Sequence, residues 1–260
     1  MVEVMRDNVV ALPRCDHLVQ VYRDPSELAE SVATFLAAGL EAAEPAVAVA
    51  TAAHWPLIAE CLEQRGWHVD QLEAESMLFV RDAERTLAAI SNNGIPSSRK
   101  FRTVIGGLLD TAAHPGGRRV HAFGEMVDIL ARRGERVAAD TLERYWNDLG
   151  AVRNFTLLCG YKVDLFDLDA QTALLPQVYR SHTHVIGGID ADRVDLAVRR
   201  AVAEVFGEAD AQKLYEQVSR SGENAPVSHL ALLWISAHMP RTAEDVLAAA
   251  RAHFEAAAAA

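Results

Sequence analysis

The stretch RRVHAFGEMVDILARRG, residues 118–134, indicates how this chain folds. A β-like run over residues 119–123 reaches a glycine, and helical spacing then continues to Gly134. Glu125 stands where the strand would end and the helix would begin. Because ligands in open α/β sheets bind at the carboxyl ends of strands, this position makes Glu125 a candidate functional residue.

The same strand-then-helix alternation extends to both sides of this stretch. Apolar runs typical of buried strands are AVAVAT (46–51), MLFV (77–80) and NFTLLCGY (154–161), and helical segments of ten or more residues separate them. Asp24, followed by Pro25 and Glu27, predicts a capped helix start. The pattern predicts an α/β fold with a mostly parallel sheet and helices on both faces.

Beyond Gly188 the segments have helical spacing with no strand between them. We therefore predict an α/β domain over residues 1–186 and a small all-helical unit over residues 187–260. Thr242 and Asp245 predict a capping box for the last helix. From Asp190 onward there are seven Lys and Arg residues against eleven Asp and Glu residues, which argues against a DNA-reading helix-turn-helix.

Composition and charge narrow the function classes. The net charge of the 260 residues is −11 and the isoelectric point is near 5.4, so a nucleic-acid-binding surface is not expected. The three cysteines form no CxxC pair, the N-terminus lacks a signal-peptide pattern, and no apolar run approaches about 20 residues. These features predict a soluble cytoplasmic protein with neither a membrane span nor direct nucleic-acid binding.

The usual catalytic motifs are missing from the sequence. The loop after the first core strand, TAAHWP (51–56), has neither the glycines nor the lysine of a phosphate-binding loop. The patterns GxGxxG, GxSxG and HExxH are also absent. We therefore predict a non-enzymatic protein without a cofactor or a metal site, and we interpret Cys159 as a buried, inert thiol.

Several polar side chains follow predicted strand ends and would meet at one edge of a parallel sheet. The predicted ligand-binding residues are Thr51, His54, Asp82, Glu125 and Tyr161, with Trp146 of the preceding helix as an aromatic wall. Structural roles compete with this interpretation, since Asp82 can cap a helix and Trp146 can pack in the core. Glu125 itself has three open roles: a partner for the helix N-terminus, a ligand-binding group, or a catalytic base.

Six motifs in a fixed order carry a family resemblance. They are HLVQVY (17–22) before a helix ending in FLAAGL, His54 after AVAVAT, Asp82-Ala83 after MLFV, FGEMV (123–127), LERYWN (142–147) and LLCGY (157–161). Together, from His17 to Phe166, they resemble the MEDS family, the sensory domain named for methanogen and methylotroph regulators of the DcmR type.

The resemblance implies a degenerate RecA/KaiC-like domain without a working phosphate loop. It also implies sensing of a small molecule, with hydrocarbon derivatives among the ligands, often beside a DNA-binding or kinase module in transcription regulation and signal transduction. Here the second module is an acidic helical tail, so output through contact with a regulatory protein is expected instead. The sequence leaves homodimer formation open.

Three hypotheses follow. The first is a cytoplasmic sensor that binds a small ligand at the carboxyl edge of the sheet. The second is a ligand-free interaction adaptor, of the anti-sigma or two-component accessory kind. The third is an enzyme on the same edge, with Glu125 as base and His54 as acid.

Overall fold

The computed structural model describes residues 16–220 and 224–257, so the N-terminal segment that contains Cys15 and the closing alanines at 258–260 lie outside it. The chain divides between Lys162 and Val163 into two compact units. We call residues 16–162 the sheet unit and residues 163–257 the helical unit. In the described residues, no helix combines the length and apolar character needed to cross a membrane.

The sheet unit contains five parallel strands in the order β3–β2–β6–β7–β1. The strands are β1 (His17–Tyr22), β2 (Ala46–Ala50), β3 (Leu78–Asp82), β6 (Val120–Gly124) and β7 (Phe155–Lys162), and a small antiparallel hairpin contributes β4 (Ser91–Asn92) and β5 (Ile95–Pro96). Every residue of β1, β2 and β6 is buried, which is typical of parallel strands covered on both faces.

Helices connect these strands. They are α1 (Pro25–Glu41), α2 (Trp55–Gln64), α3 (Val69–Ala74), α4 (Ala83–Ile90), α5 (Ser98–Phe101), α6 (Gly107–Ala113), α7 (Met126–Arg132) and α8 (Arg136–Gly150). A π-helical turn at Arg102–Gly106 joins α5 to α6. The predicted α/β fold is confirmed, while α3 and the hairpin were not predicted.

Two glycines allow α1 to lie close against one face of the sheet. A Cβ atom on Gly39 of α1 would lie 2.5 Å from Cγ of His121 on β6. A Cβ atom on Gly160 of β7 would lie 2.9 Å from a methyl carbon of Leu28 on α1. Because side chains alternate along a strand, Cys159 and Tyr161 point to the opposite face, which α8 covers.

The helical unit consists of a π-helical turn (Ala170–Leu174), α9 (Leu175–Ser181), the short strand β8 (His184–Ile186), and four longer helices. These are α10 (Ala191–Phe206), α11 (Glu208–Ser219), α12 (Val227–His238) and α13 (Pro240–Ala256). Helices α10 and α13 pack against each other, and each buries small apolar residues at helical spacing, such as Ala197 and Ala201 of α10 and Ala243 and Ala250 of α13.

The start of α13 differs from the prediction. The helix begins at Pro240, and Met239 occupies the N-cap position without a side-chain capping bond. The predicted Thr242–Asp245 capping box is therefore wrong. Proline is favoured in the first helical turn because its missing N–H has no intrahelical partner to lose.

The division between the units lies before the predicted boundary at residue 186. The segment from Asp164 to Tyr179 is held by contacts within the helical unit. Asp164 pairs with Arg251 at 2.7 Å, Phe166 packs against Phe254, and the Tyr179 hydroxyl lies 2.7 Å from Nδ1 of His229. These long-range contacts place the segment with the helices.

Candidate functional site

The carboxyl edge of the sheet is organised around Glu125. Strands β2 and β6 are neighbours, with Val49 in register with Gly124, so Glu125 emerges beside the loop that follows β2. The Glu125 backbone amide donates to the Val49 carbonyl at 3.1 Å. Its side chain is fully buried, with 0% of its surface exposed.

The Glu125 carboxylate binds the loop after β2 and does not cap its own helix. Oε2 accepts a hydrogen bond from the Thr51 amide at 3.2 Å, and Oε1 lies 3.0 Å from Nδ1 of His54. Glu125 occupies the N-cap position of α7 without a side-chain bond to that helix. Of the three open roles of Glu125, that of a partner for the helix N-terminus is therefore not supported by the hydrogen bonds of its carboxylate.

More buried polar groups surround this pair. The Tyr22 ring, at the end of β1, meets the His54 ring edge-on with centroids 5.8 Å apart. Burial, followed by the charges of Asp128 and Glu125, raises the pKa of Tyr22. Asp128 accepts bonds from the Lys162 amide at 2.9 Å and from Nε of Arg132 at 2.8 Å. Burial outweighs these bonds and raises the pKa of Asp128.

Asp82 lies at the same edge, at the end of β3, in register with Ala50. Its Oδ1 accepts the Arg85 amide at 2.8 Å, so it caps α4, as the competing structural interpretation expected. Thr51, His54, Asp82 and Glu125 thus share the carboxyl edge.

Trp146 and Tyr161 have buried contacts of a different kind. Trp146 is 2% exposed and packs edge-on against Phe101, with centroids 5.0 Å apart, and against Phe155. The Tyr161 hydroxyl donates to Oε1 of Glu143 on α8 at 2.6 Å. Trp146 therefore has the core-packing contacts of the competing structural interpretation, and strand alternation directs the Tyr161 side chain onto the face under α8.

A second polar cluster lies between the sheet and α8, and we call it the His17 cluster: His17, Glu143 and Cys159. Nε2 of His17 lies 3.3 Å from Sγ of Cys159 and 3.4 Å from Oε2 of Glu143. All three residues are buried. Burial lowers the pKa of His17 to about 4, partly offset by a bond to Asn147, and raises the pKa of Glu143 to about 8. Burial also raises the pKa of the Cys159 thiol.

The sequence contains a signal for this cluster that residue-by-residue reading missed. Cys159 and Tyr161 are two apart on β7, and Glu143 and Asn147 are four apart on α8. Each spacing places two polar side chains on one face of its element. Of these residues, only Tyr161 was predicted as a site residue.

The helical unit contains a cavity of about 570 Å³. Its lining includes Tyr179 and His182 from the α9 region and Leu230, Leu233 and Trp234 from α12. This volume is within the range of small-molecule sites, roughly 300–1,000 Å³. No pocket was predicted in this unit from the sequence, although Leu230, Leu233 and Trp234 have the spacing of residues on one helix face.

The fold and the carboxyl edge define a class: a parallel α/β domain whose loop after β2 binds the protein's own carboxylate and has no phosphate-binding sequence. The family model described as the methanogen/methylotroph DcmR sensory domain, MEDS, matches residues 16–183. The chain belongs to this family of sensory domains, as its motifs predicted. A search of the curated proteins finds no match to this chain.

Proposed function

We propose that the protein is a non-enzymatic cytoplasmic sensor that binds a small ligand at the carboxyl edge of its sheet and signals through contacts with a regulatory protein. Membership of a sensory domain family supports the general role. The edge at Thr51, His54, Asp82 and Glu125 supports the location.

The observation that carries the proposal is the bond between the Thr51 amide and Glu125. In phosphate-binding loops, backbone amides at this point in the fold hold phosphate oxygens. Here a buried carboxylate already uses one of those amides. A phosphate charge about 4 Å from that carboxylate would meet repulsion of about 4 kcal/mol at an effective dielectric constant near 20. This arrangement favours an uncharged or apolar ligand over a nucleotide.

His54 supplies a route for a ligand to affect the edge. It is 8% exposed, while its partner Glu125 is fully buried, so His54 is the member of the pair that solvent reaches. A ligand that displaces His54 would leave Glu125 to rearrange with the Thr51 loop. Such a rearrangement would provide the two alternative states that sensing requires.

A thermal-shift panel on the full chain tests the proposal. The panel contains Mg-ATP, short halocarbons, small organic acids and apolar metabolites. A ligand at 100 times its dissociation constant adds about 2.7 kcal/mol to the free energy of unfolding. We expect an uncharged, apolar ligand to raise the melting temperature and small organic acids to leave it unchanged. His54→Ala should reduce the rise, and the exposed control Asp70→Asn should retain it.

Two results would contradict the sensor proposal. Stabilisation by Mg-ATP would show that the loop still binds phosphate. Saturable turnover of a panel compound, lost in Glu125→Gln, would show that the edge is catalytic.

The adaptor remains the second candidate, and one observation favours it. Ile189 and Leu196 are 46% and 45% exposed and lie in or next to α10 of the helical unit. Exposed apolar side chains are common singly but also occur in protein interfaces. No thermal shift with any panel compound, together with binding to a regulatory protein that Leu196→Asp abolishes, would favour the adaptor over the sensor.

A further inference from the structure

We propose that the His17 cluster is a binding site for a divalent transition-metal ion, with Zn²⁺ the best match to its ligands. Nε2 of His17, Sγ of Cys159 and a carboxylate oxygen of Glu143 would coordinate the ion. The site lies within the sheet unit and is independent of the carboxyl edge proposed above.

The spacing of the three ligand atoms fits one ion. They all lie within 4.8 Å of one another, and Nε2 of His17 is 3.3 Å from the sulfur and 3.4 Å from Oε2 of Glu143. With Zn–N near 2.0 Å and Zn–S near 2.3 Å, tetrahedral geometry separates ligand atoms by roughly 3.3–3.6 Å. Two of the three separations therefore already have the required length, without a shift of β1 or β7.

Outer contacts orient two of the ligands. Nδ1 of His17 lies 2.9 Å from Oδ1 of Asn147, and an amide oxygen can only accept. Nδ1 therefore carries the proton, and the Nε2 lone pair faces Cys159 and Glu143. The Tyr161 hydroxyl holds Oε1 of Glu143 at 2.6 Å, which directs the other oxygen to the cluster. Metal-bound histidines and carboxylates typically have such outer partners.

The chemistry of the set also suits Zn²⁺. Thiolate, imidazole and carboxylate are the three ligand types that zinc uses in proteins. A thiolate and a carboxylate together carry two negative charges, so a dication makes the buried site neutral. This balance removes the cost of burying either anion alone.

Without metal, the same atoms can form a hydrogen-bond chain in which the Cys159 thiol donates to Nε2 of His17. The test must therefore separate a metal centre from a polar packing cluster. Co²⁺ serves as the probe, because its bond to a thiolate gives an intense near-ultraviolet band and tetrahedral coordination gives strong visible bands. The full chain is stripped with chelator and titrated with Co²⁺.

We expect one Co²⁺ per chain, a thiolate band, and displacement of Co²⁺ by Zn²⁺ with loss of colour. Cys159→Ser should abolish the band, and Glu143→Gln should weaken Co²⁺ binding at least tenfold. Asn147→Ala, which changes only an outer contact, should weaken it by about 10- to 100-fold. The matched control is Cys61→Ser, since Cys61 is partly exposed and lies outside the cluster, and it should retain the band.

The wild-type titration is decisive even if a variant fails to fold. A folded wild-type chain with no thiolate–Co²⁺ band would overturn the proposal and leave the cluster as polar packing. A band that survives in Cys159→Ser, or disappears in Cys61→Ser, would place the metal elsewhere and also overturn it. Circular dichroism and melting temperature confirm that each variant is folded.

Discussion

The substitution Gly39→Ala should destabilise the protein, although alanine is the better helix former. A Cβ atom at residue 39 would lie 2.5 Å from Cγ of His121 and 2.7 Å from its Cδ2, where atoms in contact need more than 3.4 Å. The His121 ring cannot easily move, because Nε2 binds Oε2 of Glu44 at 2.8 Å and the ring packs against Phe35. Overpacking of this kind costs about 1–3 kcal/mol.

Helix propensity acts in the opposite direction, since alanine is favoured over glycine by about 1 kcal/mol within a helix. We therefore expect Gly39→Ala to lower the free energy of unfolding by up to about 2 kcal/mol, the difference between the overpacking cost and the propensity gain. The measurement is urea denaturation followed by circular dichroism, at one protein concentration for all variants.

Gly107→Ala is the matched control. Gly107 starts α6 and is exposed, and a Cβ atom added to it would have no neighbouring atom within 4 Å. There the propensity gain is unopposed, and the free energy of unfolding should rise by about 0.5–1 kcal/mol. If both substitutions stabilise the protein, α1 does not lie as close to His121 as described, and steric overlap does not decide the effect at residue 39.

Three further predictions concern single interactions. Asp82→Ala removes the cap of α4 and should cost about 1 kcal/mol in urea denaturation, whereas an unchanged midpoint would show that the cap is not stabilising. Tyr161→Phe leaves the buried Glu143 without its hydroxyl donor and should cost about 1–3 kcal/mol; no loss of thermal stability would refute the assigned bond. Burial lowers the pKa of His229 to about 4 from a value of 6.5 in the unfolded chain. Between these two pH values only the unfolded chain protonates His229, so the free energy of unfolding falls as the pH is lowered. The melting temperature should therefore fall between pH 7 and pH 5, and less so in His229→Gln.

Local chemistry predicted much of the sheet unit. The Asp24 side chain accepts the Ser26 amide at 2.8 Å, and Asp82 caps α4. The helix after β2, α2, is followed by Gly66, as its position in the sequence predicted, and the φ of +83° at this residue favours glycine over other residues. Each of these features depends on residues within a few positions of one another, so the sequence alone contains the information.

Long-range packing determined what the sequence did not predict. Whether residues 163–183 belong with the strands or the helices depends on Asp164, Phe166 and Tyr179 meeting partners 50 to 88 positions away. Nothing in the local spacing identifies those partners. Local preference also failed at α13, where a proline two residues earlier provided a better helix start than Thr242.

The candidate site, too, has some features that local sequence predicts and others that depend on long-range packing. The edge position of Thr51, His54 and Glu125 follows from strand ends, because parallel strands deliver their carboxyl ends to one edge. The pairing of Glu125 with the loop after β2 also requires that β2 and β6 be neighbours, which is a property of strand order. The cavity of the helical unit requires the packing of α9 against α12, so composition could not indicate it.

The contacts of residues 164–179 affect how the molecule can be divided for experiment. The family match ends at residue 183, so a fragment designed from that match would retain Phe166 and Tyr179 but discard Phe254 and His229. Two aromatic side chains would then lose their packing partners and face water, which favours aggregation during expression. A cut after Lys162, where the compact unit ends, removes that apolar segment together with the helices that cover it.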